Sequence, residues 1–209
     1  MRKSKVALAM VVIALAAATI ALAQNQKSTV IGTVHDVAGN GCLSCHAPHN
    51  GSVATGGTDQ QTGQILLWDR GFTAQTFGTY DSPSLDNTPA EVGGTPISAT
   101  EPRLFSFLCL SCHDGVTSPT LIGPTVPEAV GNPTNSFGLT NDHPINMSFD
   151  PAQDAGLNPV ATVTAAGLPL YGATSSVQCA SCHNVHDSTN APFLRISNAS
   201  SGLCTTCHL

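Results

Sequence analysis

Residues 41 to 50 read GCLSCHAPHN, with two cysteines two residues apart, a histidine directly after the second, and another histidine three positions later. The C-x-x-C-H arrangement recurs at Cys42–Cys45–His46, Cys109–Cys112–His113, Cys179–Cys182–His183 and Cys204–Cys207–His208, and these four copies use all eight cysteines. Paired thiols in an exported protein often oxidise to disulfides, and two C-x-x-C knuckles suffice to hold a structural zinc. Neither chemistry needs a histidine after every pair. Covalent attachment of c-type haem does: two thiols form thioethers to the vinyl groups along one porphyrin edge, and the next residue places an imidazole under the iron. Four copies predict four covalently bound c-type haems.

The histidine count then becomes informative. His46, His113, His183 and His208 are proximal by motif, which leaves His35, His49, His143 and His186 out of eight. A lone histidine in a loop is ordinarily a surface residue, but four distal positions matched by four spare imidazoles predict bis-histidine ligation of every iron. His49 follows His46 by three residues, a helical rise of about 4.5 Å that keeps it near one side of the first porphyrin. It is expected to ligate a different iron, and His186 after His183 in QCASCHNVHD repeats the arrangement. A segment that holds one haem from below and another from above brings two macrocycles close together.

The rest of the 209 residues must position these groups. Residues 1–23 read as a secretory signal: Arg2, Lys3 and Lys5 precede an apolar or small-residue run from Val6 to Ala23, and Ala21-Leu22-Ala23 fits an A-x-A cleavage site. An uncleaved N-terminal anchor is the alternative, because the run is nearly long enough to span a bilayer. Past that segment Lys27, Arg70, Arg103 and Arg195 face thirteen acidic residues, four against thirteen giving a formal charge of −9. Nucleic-acid binding is excluded by the want of clustered Lys and Arg. Residues 24–209 are rich in Gly, Pro, Ser, Thr and Asn and poor in aromatics, too little apolar surface for an unaided core. The expected fold is mostly irregular and loop-rich, with short α-helices at the haem-binding motifs, little β structure, and packing around four haems.

Within residues 24–209 the chain is internally duplicated. His35, Cys42–His46 with His49, and LCLSCH at 108–113 are echoed by His143, Cys179–His183 with His186, and LCTTCH at 203–208. Two-haem modules are expected at about 30–135 and 136–209. Gly51 to Pro102 and Pro144 to Ser176 intervene as long loops dense in turn-forming residues, with a short strand near Gln64 to Trp68. Met147 would raise a potential if it ligated iron, but histidines already fill the positions, so packing beside His143 is expected. Trp68 is expected to be buried against a haem or a neighbouring subunit. Arg70, Arg103 and Arg195 either pair with haem propionates, whose geometry suits guanidinium, or are solvated. Asn146-Met147-Ser148 and Asn198-Ala199-Ser200 match the glycosylation acceptor pattern.

Haem enzymes need an iron with an open or weakly held position. With every position taken by histidine, electron transfer rather than catalysis is expected, at low potentials because the methionine ligand is missing.

The succession CLSCHAPH, LCLSCHDG, NDHP, CASCHNVH and LCTTCHL resembles tetrahaem cytochromes of the doubled-CXXCH kind. It is most similar to extracellular cytochrome nanowire subunits of the outer-membrane cytochrome E type, over roughly His35 to Leu209. The resemblance implies continuous haem stacking along a homopolymeric filament, an extracellular or cell-surface location, and exchange of electrons with other multihaem cytochromes or extracellular acceptors. It also implies that one distal histidine crosses between subunits. Any of His35, His49, His143 and His186 could be that bridge, with His35 favoured for its place near a free N-terminus. A single lysine past the signal and few charges overall suit dense self-association better than steered docking of a shuttle. The last motif ends one residue before Leu209, leaving little sequence to cover the fourth haem. The alternatives are a monomeric periplasmic tetrahaem electron carrier and, more remotely, a multihaem reductase.

Overall fold

The structure is a computed structural model that describes residues 30–47, 67–90, 92, 101–114, 117, 139–140 and 142–209. The proposed signal, His49 and residues 64–66 of the expected strand lie outside the described residues. Among the described residues no helix is long and apolar enough to cross a membrane.

Short elements separated by turns make up the chain, as the turn-rich composition predicts. Two 3-10 turns at Val37–Gly39 and Gly41–Ser44 lead into the first motif. Helix α1 (Leu104–His113) carries the second motif, and strands β1 (Met147–Ser148) and β2 (Ser176–Val177) pair antiparallel, Met147 opposite Val177. Helix α2 (Val160–Ala165) lies between the strands, α3 (Cys179–Cys182) carries the third motif, and α4 (Gly202–Cys207) the fourth.

Helix α1 starts just after Pro102, which suits a first turn. Leu104, Phe107 and Leu110, spaced every third residue, are all buried. They pack with Phe72, Phe77, Val92 and Leu139, and Phe72 meets the Phe107 ring edge-on at 6.0 Å. A second cluster gathers Phe149, Val163 and Leu168, with Leu157, Ile196 and Leu203 against it. Helix α2 corrects the expectation that Pro144 to Ser176 is loop throughout. Pro159 presets the entry, and Val163 is fully buried one turn in. Gly167 ends the helix at φ +95°, while Leu168 N–H donates to Val163 C=O at 3.3 Å, the six-to-one closure that a left-handed residue permits. The strand expected near Gln64 to Trp68 is, in its described part, a single antiparallel bridge from Trp68 to His46.

What fixes α1 against α3 is polar. Gln178 is buried at 1% exposure, and every hydrogen-bonding group of its side chain is engaged. Ser106 Oγ donates to Gln178 Oε1 at 2.5 Å, and Gln178 Nε2 donates to Ser176 Oγ at 2.8 Å and Asn146 Oδ1 at 3.1 Å. Cys179 N–H donates to Ser106 Oγ at 3.1 Å, and Gln178 N–H to Ser181 Oγ at 3.0 Å, closing a capping box on α3. The second motif's helix is thereby tied to the start of the third motif.

Ser106→Ala leaves the Gln178 carbonyl and the Cys179 N–H buried without partners, and should cost about 2 kcal/mol of stability. Guanidinium unfolding of the haem-loaded protein followed by circular dichroism checks this; a loss below about 0.5 kcal/mol, within the range of an ordinary surface substitution, contradicts it.

Candidate metal centres

At three motifs the helical turn ends at the second cysteine or one residue before it, and the histidine enters a bridge with a passing segment: His46 with Trp68, His183 with Leu194, His208 with Leu157. At the first, Ala47 N–H donates to Leu67 C=O at 2.9 Å, Asp69 N–H to Cys45 C=O at 2.8 Å, and Arg70 Nε to Ser44 C=O at 2.7 Å. The third is strapped in the same way: Asn184 N–H to Phe193 C=O at 2.8 Å, Arg195 N–H to Cys182 C=O at 2.9 Å, and Arg195 Nε to Ala180 C=O at 2.7 Å. Leu67 and Phe193 occupy the same place in the two straps, both at positive φ, 57° and 62°. The fourth motif is held by Asn158, whose N–H donates to Cys207 C=O at 2.8 Å and whose side-chain amide donates to Thr205 C=O at 3.1 Å. His113 instead stays helical at the end of α1, followed by the buried Asp114, which accepts from Gln75 Nε2 and from Thr117.

Six of the eight predicted ligands meet as three facing pairs. Ring centres of His35 and His113 are 6.2 Å apart, those of His46 and His186 6.2 Å, and those of His143 and His208 6.4 Å. Two imidazoles on opposite sides of one metal, each with a bond of about 2 Å and a ring centre about 1.1 Å behind the bonded nitrogen, have centres roughly 6.3 Å apart. The separations fit one iron between each pair. Each pair joins a motif histidine to one of the spare histidines.

The remaining motif histidine, His183, donates Nδ1–H to Pro192 C=O at 3.1 Å, and His143 Nδ1 does the same to Pro144 C=O at 3.0 Å. Fixing Nδ1 in this way orients the ring and leaves Nε2 as the atom that would ligate a metal. Burial, then neighbouring imidazoles, lowers the pKa of His35, and burial, then His183, lowers that of His113. Both are kept in the neutral form that binds metal. The Nδ1 of His35 is buried without a hydrogen-bond partner, a costly state for a ring with no other commitment. The half-buried His35 ring lies beside His113 of its own chain and meets the Phe193 ring edge-on at 4.6 Å.

The cysteines order the motifs. The Cys45 thiol is pushed up by burial and then by Cys112; Cys109 is pushed up by its hydrogen bond with Cys179 and by burial; Cys182 is raised to about 11 by burial and then by Cys207. First neighbours second, second neighbours third, third neighbours fourth. All eight thiols are free of disulfides, as thioether formation requires. A c-type haem bound at such a motif supplies an iron that alternates between ferric and ferrous states one electron at a time.

Trp68 is partly buried beside His46, and Arg70 and Arg195 brace motif backbones rather than standing free in solvent. Arg103 pairs with Glu101. Met147 lines a surface groove of about 550 Å³ with Glu101, Arg103 and Thr174. Asn146 Nδ2 donates to Ala90 C=O, and Asn198 Oδ1 accepts from Leu203 N–H at the start of α4, structural duties for both acceptor-pattern asparagines. Sequence reasoning missed Gln178, Ser106 and Asn158. Only Gln178 left a signal, as a polar residue directly ahead of Cys179.

A family model described as the doubled CXXCH motif matches residues 172–209, which hold the third and fourth motifs. No curated protein matches the chain. The match supports a multihaem c-type cytochrome, and the motifs indicate covalently bound c-type haem.

Removing a facing imidazole should open one iron. Ferrous His186→Ala is expected to bind one carbon monoxide per chain with all covalent haem retained, where the unaltered protein binds none. Carbon monoxide titration of the unaltered protein reaching one equivalent, or a variant that binds none, contradicts the pairing of His186 with His46.

Proposed function

We propose that this chain is an extracellular multihaem electron-transfer protein that polymerises into a conductive filament for long-range electron export. The observation that carries the reading is the serial order of the four motifs together with the exposure of its two ends. Cys42 and Cys204 are exposed, whereas the six other cysteines are partly covered. Among the described residues, the exposed large apolar ones fall near the same two motifs: Ile31, Val34, Leu43 and Leu67 by the first, and Leu209, 82% exposed, beside the fourth. A relay that runs from one exposed end to the other passes electrons through the molecule and meets a second copy end to end. Apolar ends favour that contact, and the scarcity of charge removes a barrier to it.

Four haems with bis-histidine ligation are part of this reading. His186, three residues past His183, faces His46; His49, three residues past His46, is proposed for the position opposite His183, supplied by its own chain or by the neighbouring subunit. Asp36, which accepts from Gly32 N–H at 2.8 Å and Gly41 N–H at 2.6 Å, holds the turn that carries His35 toward His113. With every axial position occupied, the proposed role is conduction and not turnover of a substrate.

Electron microscopy of purified, haem-loaded protein is expected to show fibres that stain for haem along their length. A single monomeric species in size-exclusion chromatography at all concentrations contradicts the polymer and leaves a monomeric carrier. Stoichiometric binding of carbon monoxide by the unaltered ferrous protein would indicate a reductase.

A further inference from the structure

The two straps offer an internal comparison. Leu67 matches Phe193, so Trp68 in the first strap stands where Leu194 stands in the second. The backbone design therefore accepts leucine at this place, and the indole is an addition peculiar to the first motif. Besides packing against the hydrophobic cluster around α1, it makes two contacts with motif residues. Its ring meets the His46 imidazole edge-on, centres 5.7 Å apart at 85°. Its Nε1–H donates to Ser111 Oγ at 3.2 Å, between the two cysteines of the second motif. Ser111 Oγ in turn donates to Phe107 C=O at 3.0 Å, so the acceptor is itself fixed to α1.

A metal-bound imidazole keeps one soft freedom, rotation about the metal–nitrogen axis, and neighbouring groups decide where it stops. Across the three facing pairs the angle between ring planes is 52° for His35 and His113, 64° for His143 and His208, and 22° for His46 and His186. The pair nearest to parallel is the one that Trp68 touches.

The geometry points to Trp68 as a positioning residue that, anchored on Ser111, holds the His46 imidazole close to the plane of the His186 ring. The inference rests on bis-histidine ligation of the first-motif iron. Its consequence is spectroscopic. Ferric iron between near-parallel imidazoles gives a rhombic low-spin resonance, whereas crossed planes give a strongly anisotropic low-field signal. An edge-on aromatic ring restricts rotation through ring–ring contact, and the hydrogen bond to α1 keeps the wedge in place.

The test is electron paramagnetic resonance of the fully loaded ferric protein beside Trp68→Leu, Trp68→Phe and Ser111→Ala, with covalent haem counted in each. Trp68→Leu is expected to keep its haem complement and to lose a rhombic component to the strongly anisotropic class. Ser111→Ala, which removes the anchor but leaves the indole, should broaden and shift that component in the same direction. Trp68→Phe should retain more of it than Trp68→Leu. A Trp68→Leu spectrum superimposable on the unaltered one overturns the assignment. If Trp68→Leu does not load fully, an unchanged Ser111→Ala spectrum overturns it instead, and a shifted one supports it. High-spin iron in the unaltered protein in place of the rhombic component overturns the bis-histidine reading along with the assignment, and is recognisable before any variant is made.

Discussion

The proposed arrangement depends on paired imidazoles whose spacing suits one metal ion between them. His35 and His113, His46 and His186, and His143 and His208 stand at centre separations of 6.2 to 6.4 Å, and each pair closes a long stretch of chain. The 46–186 closure alone spans most of the described residues and ties the first motif to the third. A loop of that length costs only slowly more entropy as it grows, so a shared metal at its ends would organise a turn-rich chain at little extra entropic cost. Because His186 follows the motif histidine His183 by three residues and lies beside His46, one short segment would serve two centres in the proposed ligation, and those centres could not be moved independently.

Polar contacts do what a larger apolar core does elsewhere. Among the described residues there are two small hydrophobic clusters, one around α1 and one around Val163, but the motifs themselves are registered by hydrogen bonds. Gln178 and Ser106 lock α1 to α3, the straps at 67–70 and 193–195 fix the first and third motifs, and Asn158 fixes the fourth. Buried polar groups of this kind are costly when half-satisfied. Here the Gln178 side chain is fully partnered, which makes the relation between the second and third motifs a specified one.

Much of the site was legible in the sequence because it is local. A C-x-x-C-H run declares thiols, imidazole and spacing within five residues, and the surplus of four further histidines raises the expectation of a second axial ligand. Loop-rich architecture followed from Gly, Pro, Ser and Thr content in the same direct way. Pairing was not legible, since which imidazole faces which is decided by closure over tens of residues. His35 shows the limit: nearness to the N-terminus says nothing about His113 and Phe193 holding its ring. Gln178 and Asn158 escaped for the same reason, their partners Ser106 and Thr205 being 72 and 47 positions away, and the tie from Trp68 to Ser111 spans 43. Helix α2 was hidden by a composition of Val, Thr and Ala that favours no structure strongly until Val163 finds a cavity to fill.

Near-infrared magnetic circular dichroism of the ferric protein, calibrated against covalent haem content, counts bis-histidine irons directly. The account predicts four per chain and no other class. A band from high-spin or histidine–methionine iron in the unaltered protein contradicts it.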